Sequence, residues 1–269
     1  YSVDLDGTMH EVAKSGSGVE TVGMTEGGTL SDLLSAQAVK AKISGPINGT
    51  DIKYLRQLVA EGNLQSIDLS EATVVGGGDA YYDSYTTSDD DMGTYSFYNH
   101  RGLVSLTLPQ TITSIGSNAF AQSGLMSVQI PDNVVSVELD AFAYCSQLST
   151  VEIGENVKRL SQGVFYNSEV KHVYVKAKTP PAIGNYLFSS KPIIHVYAES
   201  LVEYEASAWA EYGTLVGDLG DYTSIKNVDA ISVDIQNDGF YYDLLGRRGS
   251  SLQPANIYIK DGKKIIFLR

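Results

Sequence analysis

The chain has 269 residues, 43% of them apolar and 19% charged, the composition of a folded protein with a sizeable core rather than of a disordered segment. Its formal charge of −13 would repel phosphate backbones and anionic lipid heads, so no nucleic-acid partner is expected. Cys145 is the single cysteine, which excludes an intrachain disulfide, and no apolar run approaches the roughly 20 residues that span a bilayer.

Residues 1–28 alternate weakly around Ser15-Gly-Ser-Gly18 and Gly27-Gly28 and read as a frayed or hairpin-like lead-in. The stretch 29–35 reads as a short helical piece, and 39–44 alternates as a strand. Thr50 or Asn48 can then cap a helix whose apolar positions Ile52, Leu55, Leu58 and Val59 fall at helical spacing, with Gly62 ending it. Residues 64–70 form the next strand, so 29–70 predicts a βαβ unit that covers the N-terminal end of a repeat array.

The array begins at the strand of that unit. Leu103, Leu125 and Leu148 lie 22 and 23 residues apart, and Phe120, Phe142 and Phe165 keep the same intervals. A fixed period in the twenties predicts a solenoid in which each unit buries its apolar side against the next. Aligning Leu64, Leu103, Leu125, Leu148, Val170 and Ile193 leaves one interval too long, and residues 76–92, rich in Gly, Asp and Tyr, supply the excess as an insertion loop. Alternation then points Ile67/Leu69, Leu106/Leu108, Val128/Ile130, Val151/Ile153, Val173/Val175 and Val196/Ala198 inward. Ile112/Ile115, Val134/Val137 and Val157/Leu160 make a second inward row, and Phe97, Phe120, Phe142, Phe165 and Phe188 close the other side.

Residues 199–212 read as one amphipathic capping helix with Leu201, Tyr204, Ala208, Trp209 and Tyr212 on its buried face. Residues 217–227 read as a linker. The remainder of 217–269 reads as a small β segment: strands at 231–235 and 240–243, and two at 256–260 and 263–268 joined by Asp261-Gly262, a strong hairpin signal. The fold class expected is therefore an α/β repeat solenoid running over 29–216, with helical caps and a C-terminal β appendage.

Residues 64–198 resemble the BspA-like leucine-rich repeat family, whose unit runs L-x-x-[IV]-x-[LI]-P-x-x-[VI]-x-x-[IL]-x-x-x-A-F-x-x-[CS]; Leu125-MSVQIPDNVVSVELDAFAYC145 fits it closely. The N-terminal GGTLSDLL…ISGPINGTDIKYLRQL is similar to the cap of that family. The tail from Tyr241 resembles C-terminal segments of proteins exported by type IX secretion in Gram-negative anaerobes. The resemblance implies a right-handed leucine-rich-repeat coil and a secreted or surface-attached location. It also implies partners outside the cell, since some members bind host matrix or plasma proteins such as fibronectin and fibrinogen.

On the expected register the outward strand positions make two columns: Ser66, Ser105, Ser127, Thr150, His172, His195, and Asp68, Thr107, Gln129, Glu152, Tyr174, Tyr197. The repeated His-Val-Tyr at 172–174 and 195–197 thus predicts a His/Tyr patch, with Glu152 beside it, as a ligand-binding face with aromatic anchors. The same residues also suit exposed strands of good β-propensity. Tyr81, Tyr82 and Tyr85 of the insertion form a second candidate contact surface. Asp89, Asp90 and Asp91 are acidic enough to suggest calcium but lack EF-hand spacing, and His172 with His195 offers too few ligands for the usual zinc set. No cofactor is expected. Cys145 reads as a buried packing residue. No Gly-x-Ser-x-Gly, phosphate loop or dinucleotide fingerprint occurs. The leading expectation is a non-catalytic adhesion module recognising an extracellular protein or glycan; a structural spacer or self-association module is the alternative, and an enzyme the last.

Overall fold

In the computed structural model, which describes residues 18–219, the alternating β-branched runs become short parallel strands that stack in sequence order. Beyond those residues only the backbone of a few short strands is described. The first ladder opens with Val19–Gly23, Lys40–Ile47, Ser66–Val74 and Ser105–Thr107. A second set, Ser127–Ile130, Thr150–Ile153, His172–Val175, Ile193–Tyr197 and Thr214–Leu219, carries the same parallel pairing onward. The Met126 amide donates to the Val104 carbonyl at 3.3 Å where the two sets meet. A separate ladder of two-residue strands runs through Asp91–Met92, Ser114–Ile115, Ser136–Val137, Arg159–Leu160 and Ala182–Ile183.

Both inward rows of the middle turns are buried, and Val128, Val151 and Val173 lie within one continuous apolar core. Val128 is level with Val151, and Val151 with Val173. The phenylalanine column stacks with near-parallel rings whose centroids lie 6.0, 5.1, 5.6 and 5.3 Å apart from Phe97 to Phe188. Each ring covers the next, so one turn's apolar surface is removed from water by its neighbours. Cys145 is buried; its thiol donates to the Phe120 carbonyl at 3.1 Å, and burial pushes its pKa up.

The N-terminal end is closed by a helix, Gly49–Ala60. Asn48 caps it, accepting from the Thr50 amide at 3.0 Å, while the buried Asp51 accepts from the Asn48 amide at 2.8 Å. The same carboxylate also takes the amides of Gly28 and Leu30 at 2.6 and 3.0 Å, tying the preceding segment to the helix. Gly62 ends the helix with φ +82°, a left-handed conformation that favours glycine.

Five expectations are corrected. Val19–Gly23 is no frayed lead-in: it pairs in parallel with Lys40–Ser44 and extends the sheet by one strand. The insertion ends before Asp91, because Asp91–Met92 is the first rung of the two-residue ladder, level with Ser114–Ile115. The single helix expected at 199–212 is broken into a short helix, Leu201–Glu205, and a 3-10 turn, Ala208–Glu211, because the Ser207 hydroxyl caps a new start at the Trp209 amide. Thr214–Leu219 is a strand paired with Ile193–Tyr197, so the linker does not begin at 217.

The fifth correction concerns register. Val173 is level with Ile194, not Val196, and Tyr174 with His195. Ile193 is exposed and Ala198 is not an inward residue. A two-residue slip keeps the same side chains facing in, and the observed register opposes Val173 and Val175 with Ile194 and Val196 rather than with Val196 and Ala198. It encloses more aliphatic volume.

Residues Gly220–Arg269 form a separate unit. Its backbone strands Tyr241–Asp243, Arg248–Gly249, Ile257–Lys260 and Lys263–Ile266 pair antiparallel, the last two as the expected hairpin. The strand expected at 231–235 lies outside the described residues. So does most of 1–17, where Ser2–Val3 pairs antiparallel with Met9–His10.

Candidate functional site

The slipped register decides how the His/Tyr patch is assembled. Glu152 is level with Tyr174 and Tyr174 with His195, so the outward column runs Glu152, Tyr174, His195. The Tyr174 and His195 rings stack at 4.4 Å and 10°. His172 is level with Ile193, yet its Nδ1 reaches diagonally to within 3.2 Å of His195 Nε2. His195 Nδ1 in turn lies 2.9 and 3.0 Å from the two carboxylate oxygens of Asp218. In the neutral tautomer that donates Nδ1–H to the carboxylate, His195 accepts at Nε2 from the His172 Nδ1–H. The three residues form a hydrogen-bonded diagonal across three adjacent strands.

Sequence reasoning misses Asp218 because position 218 falls in the stretch that reads as linker. The signal is present all the same: His172, His195 and Asp218 are each 23 residues apart. Lys176 is missed as well. It pairs with Glu152, whose hydrogen bond raises the lysine's pKa despite partial burial. Tyr197, across a bulge from Leu219, stands apart from this column; the Lys178 ammonium lies 5.4 Å from its ring centroid. Tyr197, Lys176 and Lys178 line a depression of about 740 Å³.

The insertion is a hairpin, Gly77–Tyr82 with Tyr85–Thr87, laid against the capping helix. The Asp79 amide donates to Thr50 Oγ1 at 2.9 Å, and Lys53 pairs with Asp79 at 3.2 Å. Tyr81 is no surface anchor: it is buried, its hydroxyl donates to the Thr94 carbonyl at 2.9 Å, and burial raises its pKa. Tyr82 and Tyr85 instead join Tyr95 and Tyr98 in a ring cluster, with Tyr82 stacked on Tyr95 at 4.8 Å and Tyr85 5.5 Å from Tyr95. The Arg56 guanidinium sits 5.2 Å from the Tyr82 ring centroid while donating to the carbonyls of Tyr95 and Ser96.

The three aspartates have separate duties. Asp89 accepts from the Gly76 amide at 2.6 Å; Asp90 turns the chain with φ +51°; Asp91 accepts from the Ser114 hydroxyl at 2.5 Å, and burial raises its pKa. Among the described residues no group of three or more His, Cys, Asp or Glu side chains is gathered to hold a metal ion.

Among known protein families, six copies of the BspA type leucine rich repeat region match the chain between residues 84 and 195. Residues 84–195 are a BspA-type leucine-rich repeat region. The candidate patch lies at the C-terminal end of these BspA-type repeats and in the strand just beyond them. Among solved structures, the 1.19 Å crystal structure of a leucine-rich repeat protein from Bacteroides ovatus ATCC 8483 is similar at 14% identity, over 68% of this chain and 67% of that one, with a TM-score of 0.26. No curated protein matches the chain. Among the described residues no helix is long and apolar enough to cross a membrane.

Proposed function

We propose that the chain is a non-catalytic binding module, a right-handed BspA-type solenoid displayed outside the cell, which recognises a polypeptide through Glu152, Tyr174, His195 and Tyr197 on its β face. Tyr82 and Tyr85 of the insertion add a second contact surface. The observation that carries this reading is the fixed array around His195, stacked on Tyr174 and hydrogen-bonded to Asp218 and His172. Side chains already held in place lose little conformational freedom on binding, and a rigid tyrosine is an effective anchor. The array does not suit acyl transfer: His195 Nε2, the nitrogen that would serve a nucleophile in a Ser-His-Asp arrangement, faces a second imidazole. The BspA-type repeats point the same way, towards surface-associated binding proteins.

Surface plasmon resonance with fibronectin, fibrinogen, laminin and collagen over the immobilised protein tests it. At least one should bind, and Tyr174→Ala or His195→Ala should weaken that binding tenfold or more, a loss of about 1.4 kcal/mol. Binding that both variants leave unchanged would exclude the β face. Concentration-dependent mass in light scattering with no polypeptide bound would favour the self-association reading instead.

A further inference from the structure

The turns that carry the phenylalanine column also present an outer surface, and its chemistry differs from that of the β face. Each turn holds residues in the left-handed backbone region. One column is Tyr95, Asn118, Asp140, Gly163 and Tyr186; another is Asn99, Gln122, Tyr144 and Asn167, all with φ between +52° and +68°. Glycine, asparagine and aspartate adopt this conformation most readily, and most positions comply. Tyrosine gains nothing from it, nor does the core need these rings: Tyr144 is 50% and Tyr186 63% exposed. A disfavoured backbone bearing an exposed aromatic ring points to use of the ring itself.

The half-buried Tyr166 joins the two exposed rings into a ladder. Tyr144 meets Tyr166 edge-on at 5.7 Å, and Tyr166 meets Tyr186 at 6.2 Å. With Asp140 and Gln162 they line a depression of about 270 Å³. An adjoining depression of about 590 Å³ shares Tyr144 and adds Arg101, Gln122, Gln147 and Asn167. A third, of about 700 Å³, shares Arg101 and continues to Tyr98 and Tyr82. Gln122 bridges the segments, its amide donating to the Tyr98 hydroxyl at 3.1 Å. The depressions are consecutive, and the first two contain no aliphatic side chain.

We propose that this tyrosine and amide track is a glycan-binding groove that takes an extended oligosaccharide across successive turns. A pyranose presents a C–H face that stacks on an aromatic ring and a rim of hydroxyls that pairs with carboxamides, and the track alternates those two partners. A polypeptide would need desolvated pockets for apolar anchors, and the first two depressions hold no aliphatic side chain to line them. A polyanion such as nucleic acid is disfavoured by the charge of −13. Successive rings 5.7 and 6.2 Å apart offer one aromatic partner per turn to successive sugar units of an extended chain. The groove shares Tyr82 alone with the polypeptide-binding reading and stands independently of it.

The test is a glycan array carrying plant, microbial and animal oligosaccharides, probed with the wild-type protein and followed by calorimetric titration of the best hit. Tyr144→Asn with Tyr186→Asn removes both rings while keeping residues suited to the left-handed backbone. The wild type should bind at least one glycan, and the double variant should bind it tenfold or more weakly with an unchanged unfolding temperature. Tyr174→Ala should leave glycan binding intact, which separates this groove from the β face. An array without a hit, or binding that survives the double variant, would overturn the proposal.

Discussion

The middle turns and the last one are written in the same alternation but meet their neighbours differently. From Ser127–Ile130 to His172–Val175 each strand lies level with the next at the repeat interval, so sequence columns and spatial columns coincide. At Ile193–Tyr197 the ladder slips by two residues, and the second His-Val-Tyr lands diagonally from the first. Repetition of a motif therefore does not fix register. Burial does, and a slip of two is invisible to a pattern of period two.

Replacing the plug of the last turn should separate it from the middle ones. Trp209 is buried and its indole N–H donates to the Pro181 carbonyl at 2.9 Å. Trp209→Ala should cost about 3–5 kcal/mol. Because each turn is held by its neighbours, hydrogen exchange should show strands 172–175, 193–197 and 214–219 opening before 127–130. Uniform exchange across both regions would show that the last turns are no less stable than the middle ones. The capping helix at the other end supplies a smaller effect: Asn48→Ala should cost about 1 kcal/mol in chemical denaturation.

The smallest effect concerns Asp91, on the first rung of the two-residue ladder. Burial raises its folded-state pKa above the ordinary value. The protonated form is favoured on folding, so its contribution is fully present below about pH 3.9 and fades as pH rises through the raised value. Asp91→Asn can still accept from the Ser114 hydroxyl. The variant should be at least as stable as the wild type at pH 7, and its unfolding temperature should vary less from pH 4 upward.

Much of the architecture was legible. The aliphatic rows and the Phe97-to-Phe188 column follow from period and alternation, because burial in a repeat depends on a residue's neighbours one turn away. The capping helix was legible from Asn48 and Gly62. The less legible parts depend on distant contacts. Tyr81 and Tyr82 are adjacent and chemically identical, and only the packing of the hairpin on the capping helix decides that the first is buried. Asp218 was hidden because Thr214–Leu219, broken by Gly217, makes a weak strand signal that pairing with Ile193–Tyr197 overrides. The turn tyrosines were not legible as a surface, since only the packing of successive turns brings Tyr144, Tyr166 and Tyr186 together.

Successive turns share one interior and leave a second set of rings outside it. Phe142 and Tyr144, two residues apart, test this directly: one is fully buried in the ring column and the other is half exposed. Equilibrium denaturation should show Phe142→Ala losing about 3–5 kcal/mol, while Tyr144→Asn stays within about 0.5 kcal/mol of the wild type. Equal losses from the two substitutions would contradict it.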